Sequence, residues 1–273
     1  MKASLAGMSL SLVVIAMWAI LELSKSEAQA SPSMTGAAPA PVVVELFTSE
    51  GCSSCPPADA LLAKLFKDQP VNGAEIIALE EHVDYRDSLG WKDPFSSNEW
   101  THRQQEYADA FGNHGVYTPQ MVVDGQAEIV GSRARESEKE ISEGARRAKT
   151  QVVLTSRGNG ADGSPQYSVQ VGKLTGGKNG DTAEVWLAVT EDDLQSAVTR
   201  GENAGERLRH TSVLRSLRKI GVAEAYKDES FSGAANVRLE PAWKRENTRV
   251  IVLVQQRKSR RILGAAKAEL ALH

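Results

Sequence analysis

The chain has 273 residues, of which 25% are charged and 41% are hydrophobic, and its formal net charge is −3. This length allows two domains of ordinary size, and the composition is typical of a folded soluble protein. A weakly acidic balance argues against a nucleic-acid partner, because such a partner usually requires a basic face on the protein.

The first thirty residues have the pattern of an export signal. Lys2 supplies a positive start, residues 5–21 are almost wholly apolar, and Ala28-Gln29-Ala30 has the small residues of a cleavage site. We predict a signal peptide over residues 1–30 and a periplasmic or secreted chain. The alternative is an uncleaved membrane anchor, since the apolar run is long for a signal, and only then is a membrane partner expected. Residues 31–40 are small, polar and contain Pro, which predicts a linker.

Residues 41–150 are predicted to alternate between strands and helices. Ser96 and Glu99, three residues apart, predict a helix cap, and Asp124-Gly125 predicts a tight turn between two strands. The strand, helix, strand, helix, strand, strand, helix order predicts a mixed sheet flanked by helices, an α/β domain. The predicted strands are Val42–Phe47, Glu75–Leu79, Met121–Val123 and Ala127–Val130, and the helices are Ala58–Lys67, Trp100–Phe111 and Ser132–Lys149.

Residues 151–273 have a different character and are predicted to form a second, mostly β domain such as a small sandwich. Glycine-rich loops separate short apolar runs, and helical spacing is confined mainly to Val213–Ile220. The predicted strands are Gln151–Leu154, Tyr167–Val171, Val185–Val189 and Val250–Val254.

Both cysteines of the chain lie in the stretch LFTSEGCSSCPPAD, after a predicted strand and before a predicted helix. The one possible internal disulfide joins Cys52 to Cys55, and so short a loop stabilises weakly. A short loop suits a bridge that is made and broken. A helix start favours a thiolate, and Pro56 and Pro57 fit a first helical turn. We therefore predict that Cys52 is the more exposed, attacking thiol and that Cys55 resolves the mixed disulfide.

A second short motif, Tyr117-Thr118-Pro119, stands just before the strand Met121–Val123. With the C-x-x-C and the order of elements, the segment 41–149 resembles the thioredoxin superfamily. That resemblance implies a thioredoxin-like fold, a cis-proline at Pro119 preceded by Thr118, and a catalytic role for both beside the cysteines. It also suggests Glu45 as a buried proton acceptor. The alternative is a strand-end glutamate that reaches solvent.

Longer stretches of the chain show a closer resemblance. ELFTSEGCSSCPPAD, HVDYRDSLGWKDPF, VYTPQMVVDG, RGENAGERL and ILGAA are similar to a family of exported bacterial proteins catalogued as domain of unknown function 1223. That resemblance spans both predicted domains and implies export, but it implies no substrate.

An insertion after the second predicted strand is dense in polar and aromatic residues. It follows the carboxyl end of a strand, where such sheets carry functional loops. We predict that it shapes a substrate groove with His82, Asp84, Tyr85, Trp91 and the neighbouring Tyr117. Two alternatives remain: His82 and Asp84 join the thiolates around a metal, or the loop is purely structural.

Other polar residues are weaker candidates. The loop Arg200–Gly205 is equally suited to an interface and to ligand binding, and no metal ligand set is assigned. We treat the remaining histidines as solvent-facing or packing residues: His102, His114, His210 and His273.

The favoured hypothesis is an exported thiol–disulfide oxidoreductase that acts on protein or small-molecule thiols and disulfides. It needs no cofactor but requires a redox partner that recharges the cysteines. One alternative is a copper-handling protein, because copper(I) prefers thiolate ligands and His82 can add a third. The other is a binding or assembly protein with a permanently closed disulfide.

Overall fold

A computed structural model describes residues 38–270. The predicted signal peptide and residues 31–37 of the predicted linker lie outside the described residues. The described residues form one compact unit. Between residues 38 and 270, no helix combines the length and the apolar character needed to cross a membrane.

The described chain contains few helices and many strands. The helices are α1 (Pro56–Asp68), α2 (Asn98–Phe111) and α3 (Ala134–Arg146), with 3-10 turns at Asp84–Leu89 and Arg245–Asn247. The strands are β1 (Ala40–Thr48), β2 (Ala74–His82), β3 (Gln120–Val123), β4 (Ala127–Val130), β5 (Val152–Asn159), β6 (Pro165–Gly172), β7 (Ala183–Glu191), β8 (Leu194–Ala197), β9 (Arg207–His210), β10 (Val213–Ala223), β11 (Glu229–Asn236), β12 (Thr248–Gln256) and β13 (Ile262–Glu269).

A large mixed sheet organises the fold. Its eight strands run in the order β13-β12-β7-β10-β2-β1-β3-β4, and smaller sheets are formed by β11-β6-β5 and by β8-β9. Strand β1 pairs parallel with β2 and antiparallel with β3. The β3–β4 turn has Asp124 and Gly125 at positive φ, as the predicted Asp-Gly hairpin requires.

Apolar residues on both faces of this sheet build the core. Helix α1 buries Ala58, Leu62 and Leu65, spaced four and three apart, so one stripe of the helix packs on β1 and β2. Trp100 of α2 packs in a different cluster, with Val43 of β1 among its members. The sheet β11-β6-β5 contributes Tyr167 and its neighbours to a third cluster.

Strands from both predicted domains share the large sheet. Strand β10 pairs in parallel with β2 at Val213 and Glu80, and Glu80 N donates to Ser212 O over 2.9 Å. The boundary predicted near residue 150 therefore separates α3 from β5, while the sheet itself continues across both segments.

The helical spacing at Val213–Ile220 is misleading, because these residues lie in strand β10. Two register shifts interrupt its pairing with β7, between Leu214 and Ser216 and between Lys219 and Gly221. Each irregularity changes which face the following side chains occupy, so Leu214 and Leu217 join the same cluster although they are three residues apart. Because of the two bulges, the apolar residues of this strand have the three-residue spacing that is typical of a helix.

Two boundaries also differ from prediction. The helix cap is Ser97, whose hydroxyl accepts from Glu99 N over 3.1 Å, while Ser96 Oγ donates to Asp87 over 2.9 Å. Strand β2 continues three residues past its predicted end, through Glu80 and Glu81 to His82, all fully buried. Glu80 and His82 are tolerated there because each lies beside a partner of opposite charge. Burial raises the pKa of Glu81 well above its ordinary value, which favours its neutral form, although Arg103 lies 3.5 Å away.

Candidate functional site

The two cysteines lie between β1 and α1 and form a disulfide with a Cα–Cα distance of 5.4 Å. Cys55 is the N-cap of α1, and Pro56 and Pro57 occupy the first helical positions. The backbone N–H of Asp59 donates to Cys55 O over 3.1 Å. This placement puts the pair at the positive end of the helix dipole, where a thiolate is stabilised.

The Thr118–Pro119 segment lies directly beside Cys52. The peptide bond between Thr118 and Pro119 is cis, and both residues are buried. Cys52 Sγ lies 3.9 Å from Thr118 O, and Arg86 Nε donates to Thr118 Oγ1 over 2.9 Å. The structure therefore brings together the cysteines, Thr118 and Pro119, although Thr118 is 66 residues from Cys52 in the sequence.

Residues 201–205, here called the covering loop, lie over the disulfide. Asn203 Nδ2 donates to Glu50 O over 2.8 Å and to Cys52 O over 3.1 Å, and Glu202 accepts from Ser53 N and Oγ. As a result Cys52 is 3% exposed and Cys55 is fully buried. The covering loop is therefore bonded to Glu50, Cys52 and Ser53.

Removing the Asn203 amide is expected to speed reduction of the disulfide. Asn203→Ala loses two hydrogen bonds, each worth about 1 kcal/mol, so opening of the covering loop becomes about 30-fold more frequent. Stopped-flow reduction by dithiothreitol, followed by thiol labelling, measures the rate. Asn179→Ala, in another exposed loop, is the matched control. Equal rates in wild type and Asn203→Ala contradict the covering role.

Residues 49–55, between β1 and α1, are here called the cysteine loop. One of them, Glu50, belongs to a group of five buried ionisable residues, here called the histidine cluster: Glu50, Glu80, His82, Asp93 and His210. His82 Nδ1 pairs with Asp93 Oδ2 at 2.7 Å. His210 Nδ1 pairs with Glu80 Oε1 at 2.7 Å, and its Nε2 pairs with Glu50 Oε1 at 3.0 Å. Asp93 also accepts from Glu50 N over 2.8 Å, which ties the cluster to the cysteine loop.

The pKa values of both histidines, Glu80 and Asp93 are shifted within the cluster. Burial lowers the pKa of His210, but the Glu80 charge and hydrogen bonds to Glu50 and Glu80 outweigh burial and raise it to about 9. The pKa of His82 rises well above its ordinary value, because Asp93 and Glu80 likewise outweigh burial. Despite burial, the histidines hold the pKa values of Glu80 and Asp93 at about 2.

Asp59, in the first turn of α1, is a buried carboxyl group with weaker partners. It accepts from Thr48 Oγ1 over 2.6 Å and lines a cavity of about 860 Å³ between α1 and β9, together with Pro56, Arg209 and His210. Burial and then the Glu80 charge raise the pKa of Asp59 from 3.8 to about 7. Asp59 therefore exchanges a proton near neutral pH.

Asp59→Asn is expected to change how stability depends on pH. The raised pKa stabilises the folded state below about pH 4, and this contribution is lost as pH rises through about 7. The stability of the wild type relative to Asp59→Asn should fall between these values by up to about 1.4 kcal/mol per pH unit. Urea unfolding at pH 4, 5.5 and 7 measures this difference. A difference that stays constant with pH contradicts the assignment.

Glu45 lies in a separate buried network. Its carboxylate accepts hydrogen bonds from Arg103 and from Tyr107, both on α2. Arg103 Nε also lies 3.5 Å from Glu81 Oε1 and its Nη1 donates to Gln255 over 3.0 Å. These partners place Glu45 in the core between β1 and α2, and the reach to solvent considered from the sequence does not occur.

The predicted groove residues have different surroundings. Trp91 Nε1 donates to Glu50 Oε2 over 2.7 Å and thus lies against the cysteine loop. Asp84 accepts from Thr101 Oγ1, and Tyr85 donates to Gln104, so both contact α2. The Tyr117 carbonyl accepts from Gln104 Nε2, whereas His82 lies in the histidine cluster.

Several site residues carry no clear signal in the sequence. His210 was assigned to solvent or to packing, yet it is 2% exposed and pairs with Glu80, 130 residues away. Asn203 and Glu202 lie in a loop that the sequence suits equally to an interface and to ligand binding. In the structure both residues contact the cysteine loop. For Asp59, the sequence feature that points to a functional role is its position in the first turn of α1.

Comparisons with known proteins identify a family and a fold. The family described as "Protein of unknown function (DUF1223)" matches residues 43–255. An Agrobacterium tumefaciens protein, solved by X-ray crystallography in a structural genomics programme, has a TM-score of 0.65 and 26% identity, over 87% of this chain and 99% of that chain. HBP35 of Porphyromonas gingivalis has a TM-score of 0.61 and 18% identity, over 86% and 76% of the two chains, and supports the fold alone. No curated protein matches the chain at a significant level.

Proposed function

The chain belongs to the DUF1223 family of proteins of unknown function, and from that premise we propose that it is an exported thiol–disulfide oxidoreductase. Cys52 and Cys55 are its redox pair, carried on a thioredoxin-like core. One observation carries the proposal: the disulfide lies at the start of α1 with Cys52 Sγ beside the Thr118 carbonyl. Export rests on residues 1–30, which lie outside the described residues.

The reaction is a pair of thiol–disulfide exchanges. A substrate thiolate attacks Cys52 Sγ, the Cys52–Cys55 bond breaks, and Cys55 leaves as a thiolate. A second substrate thiolate then attacks the sulfur bound to Cys52 and releases the Cys52 thiolate. The substrate has lost two electrons and two protons, and the protein has gained both. The reverse sequence reduces a substrate disulfide.

The environment favours Cys55 as the leaving group. Its sulfur is attached at the N-cap of α1, where the helix dipole stabilises negative charge. Asp59 lies one turn further along the same helix, and residues four apart share a helix face. We assign to Asp59, rather than to Glu45, the role of accepting or returning the proton of Cys55.

Substrates approach from the side of the covering loop. Thr118 and Trp91 contact the cysteine loop. In this proposal the covering loop must open before a thiol reaches Cys52. Protein or small-molecule thiols and disulfides fit this description, and a separate redox partner must restore the starting state of the pair.

A turnover assay tests the proposal. The wild type should accelerate either reduction of insulin by dithiothreitol or oxidation of a reduced, unfolded ribonuclease. The double variant Cys52→Ser/Cys55→Ser should be inactive in both assays. If the wild type and the double variant give equal rates in both assays, the result contradicts the oxidoreductase function.

The burial of both cysteines favours a second candidate, a binding protein with a permanent disulfide. Cys52 is 3% exposed, and the covering loop bonds directly to its carbonyl. In that case the disulfide stays closed in millimolar reductant while the protein remains folded, whereas the oxidoreductase opens it.

A further inference from the structure

We propose that Glu80, His82 and His210 form a binding site for one divalent cation with the ligand preferences of zinc. These residues come from the end of β2 and the end of β9, and all three side chains are buried. The site is separate from the cysteines and does not rest on the redox function.

The positions of three atoms carry this proposal. One ligand atom from each residue lies within 4.8 Å of the other two. Glu80 Oε1 is 3.3 Å from His82 Nε2 and 2.7 Å from His210 Nδ1. Ligands of a tetrahedral ion at zinc distances stand about 3.3 Å apart, so small movements suffice to admit the ion.

His82 supplies an independent observation. Its ring is fully buried, and Nε2 makes no well-aligned hydrogen bond in the described structure, since its contact with Glu80 Oε1 is 3.3 Å long. A buried nitrogen without a hydrogen bond is costly and unusual. A metal ion bound to Nε2 explains its orientation.

The other ring nitrogens are held as in known metal sites. A ligating histidine usually donates its second N–H to a carboxylate, which fixes the ring. His82 Nδ1 faces Asp93 at 2.7 Å, and His210 Nε2 faces Glu50 at 3.0 Å. Glu80 Oε2 in turn accepts from Thr211 N over 2.8 Å. Each proposed ligand is thus oriented by a partner outside the ligand set.

The charges of the cluster also suit a dication. Three buried carboxylates, Glu50, Glu80 and Asp93, face two imidazoles that are neutral when they bind metal. A divalent cation offsets two of the three negative charges. Of the three proposed ligands, His210 lines the cavity beside Asp59.

Metal content tests the site directly. Full-length protein, first treated with EDTA and then dialysed against micromolar Zn²⁺, should hold about one zinc per chain by plasma mass spectrometry. His82→Gln and His210→Gln should each weaken zinc binding at least tenfold. His102→Gln, on the exposed side of α2, is the matched control and should bind as wild type does.

Two further measurements keep the test decisive if a histidine variant fails to fold. Wild type loaded with Co²⁺ should show the visible absorption of a four-coordinate site with nitrogen and oxygen ligands. The variant Cys52→Ser/Cys55→Ser should retain its zinc. Folded wild type with less than 0.1 zinc per chain overturns the proposal, and so does zinc that is lost with the cysteines.

Discussion

Cys55→Ser protein is expected to accumulate a mixed disulfide at Cys52 when it is incubated with oxidised glutathione. Cys52 remains able to attack, but no second thiol is present to resolve the adduct. In the wild type the equivalent adduct is resolved by Cys55, whose sulfur lies within bonding distance of Cys52. The effect is large, from almost no adduct in wild type to nearly complete modification. Intact-mass spectrometry at neutral pH measures it.

Cys52→Ser is the control for this experiment and should react at least 100-fold more slowly. Cys55 is fully buried, whereas Cys52 has the small exposed fraction and the Thr118 carbonyl beside it. Asn203→Ala, combined with Cys55→Ser, should speed the modification, because the covering loop opens more often. Faster modification of Cys52→Ser than of Cys55→Ser reverses the assigned roles.

Arg103→Met is expected to destabilise the protein by about 3–5 kcal/mol, because it leaves buried carboxylates without a counter-charge. Arg103 is 4% exposed and bonds to Glu45, and its Nε lies 3.5 Å from Glu81. The side chain also donates to Gln255 of β12 and so links β1 to β12, which are not neighbours in the large sheet. Urea denaturation followed by circular dichroism measures the loss.

A variant of an exposed arginine shows how much of the stability loss comes from burial of the ion pair and how much from removal of a positive charge. Arg133→Met removes an exposed ion pair with Glu136 and should cost less than about 1 kcal/mol. Adding Glu45→Gln to Arg103→Met removes one stranded charge and should restore part of the stability. A loss below 1 kcal/mol for Arg103→Met alone contradicts this account of the network.

The local parts of the fold were predictable because their signals are local. The leucines of α1 and the Asp-Gly turn between β3 and β4 predict their own structures. The spacing within Val213–Ile220 predicts a helix where the structure has strand β10. The bulges that produce this spacing depend on pairing with β7, and nothing within the segment reveals that pairing. The joining of β10 to β2 at Glu80 is equally non-local and could not be derived from either segment alone.

The candidate site also contains parts that short sequence motifs predict and parts that depend on distant residues. The cysteine spacing and Thr118-Pro119 are short motifs, and the structure brings them together. The histidine cluster could not be found in this way, because His210 meets Glu80 and Glu50 only after β10, which follows it, pairs with β2. Extension of β2 through His82 depends on the same distant partners, so a local hydropathy pattern ends the strand too early.

The most direct test of the central claim is a redox titration of the Cys52–Cys55 pair. The protein is equilibrated in glutathione buffers of graded potential, and free thiols are alkylated and counted by mass. We predict a two-electron transition within the range of these buffers, with Cys52 alkylated first. A pair that stays closed, or stays open, across the whole range contradicts a working redox couple.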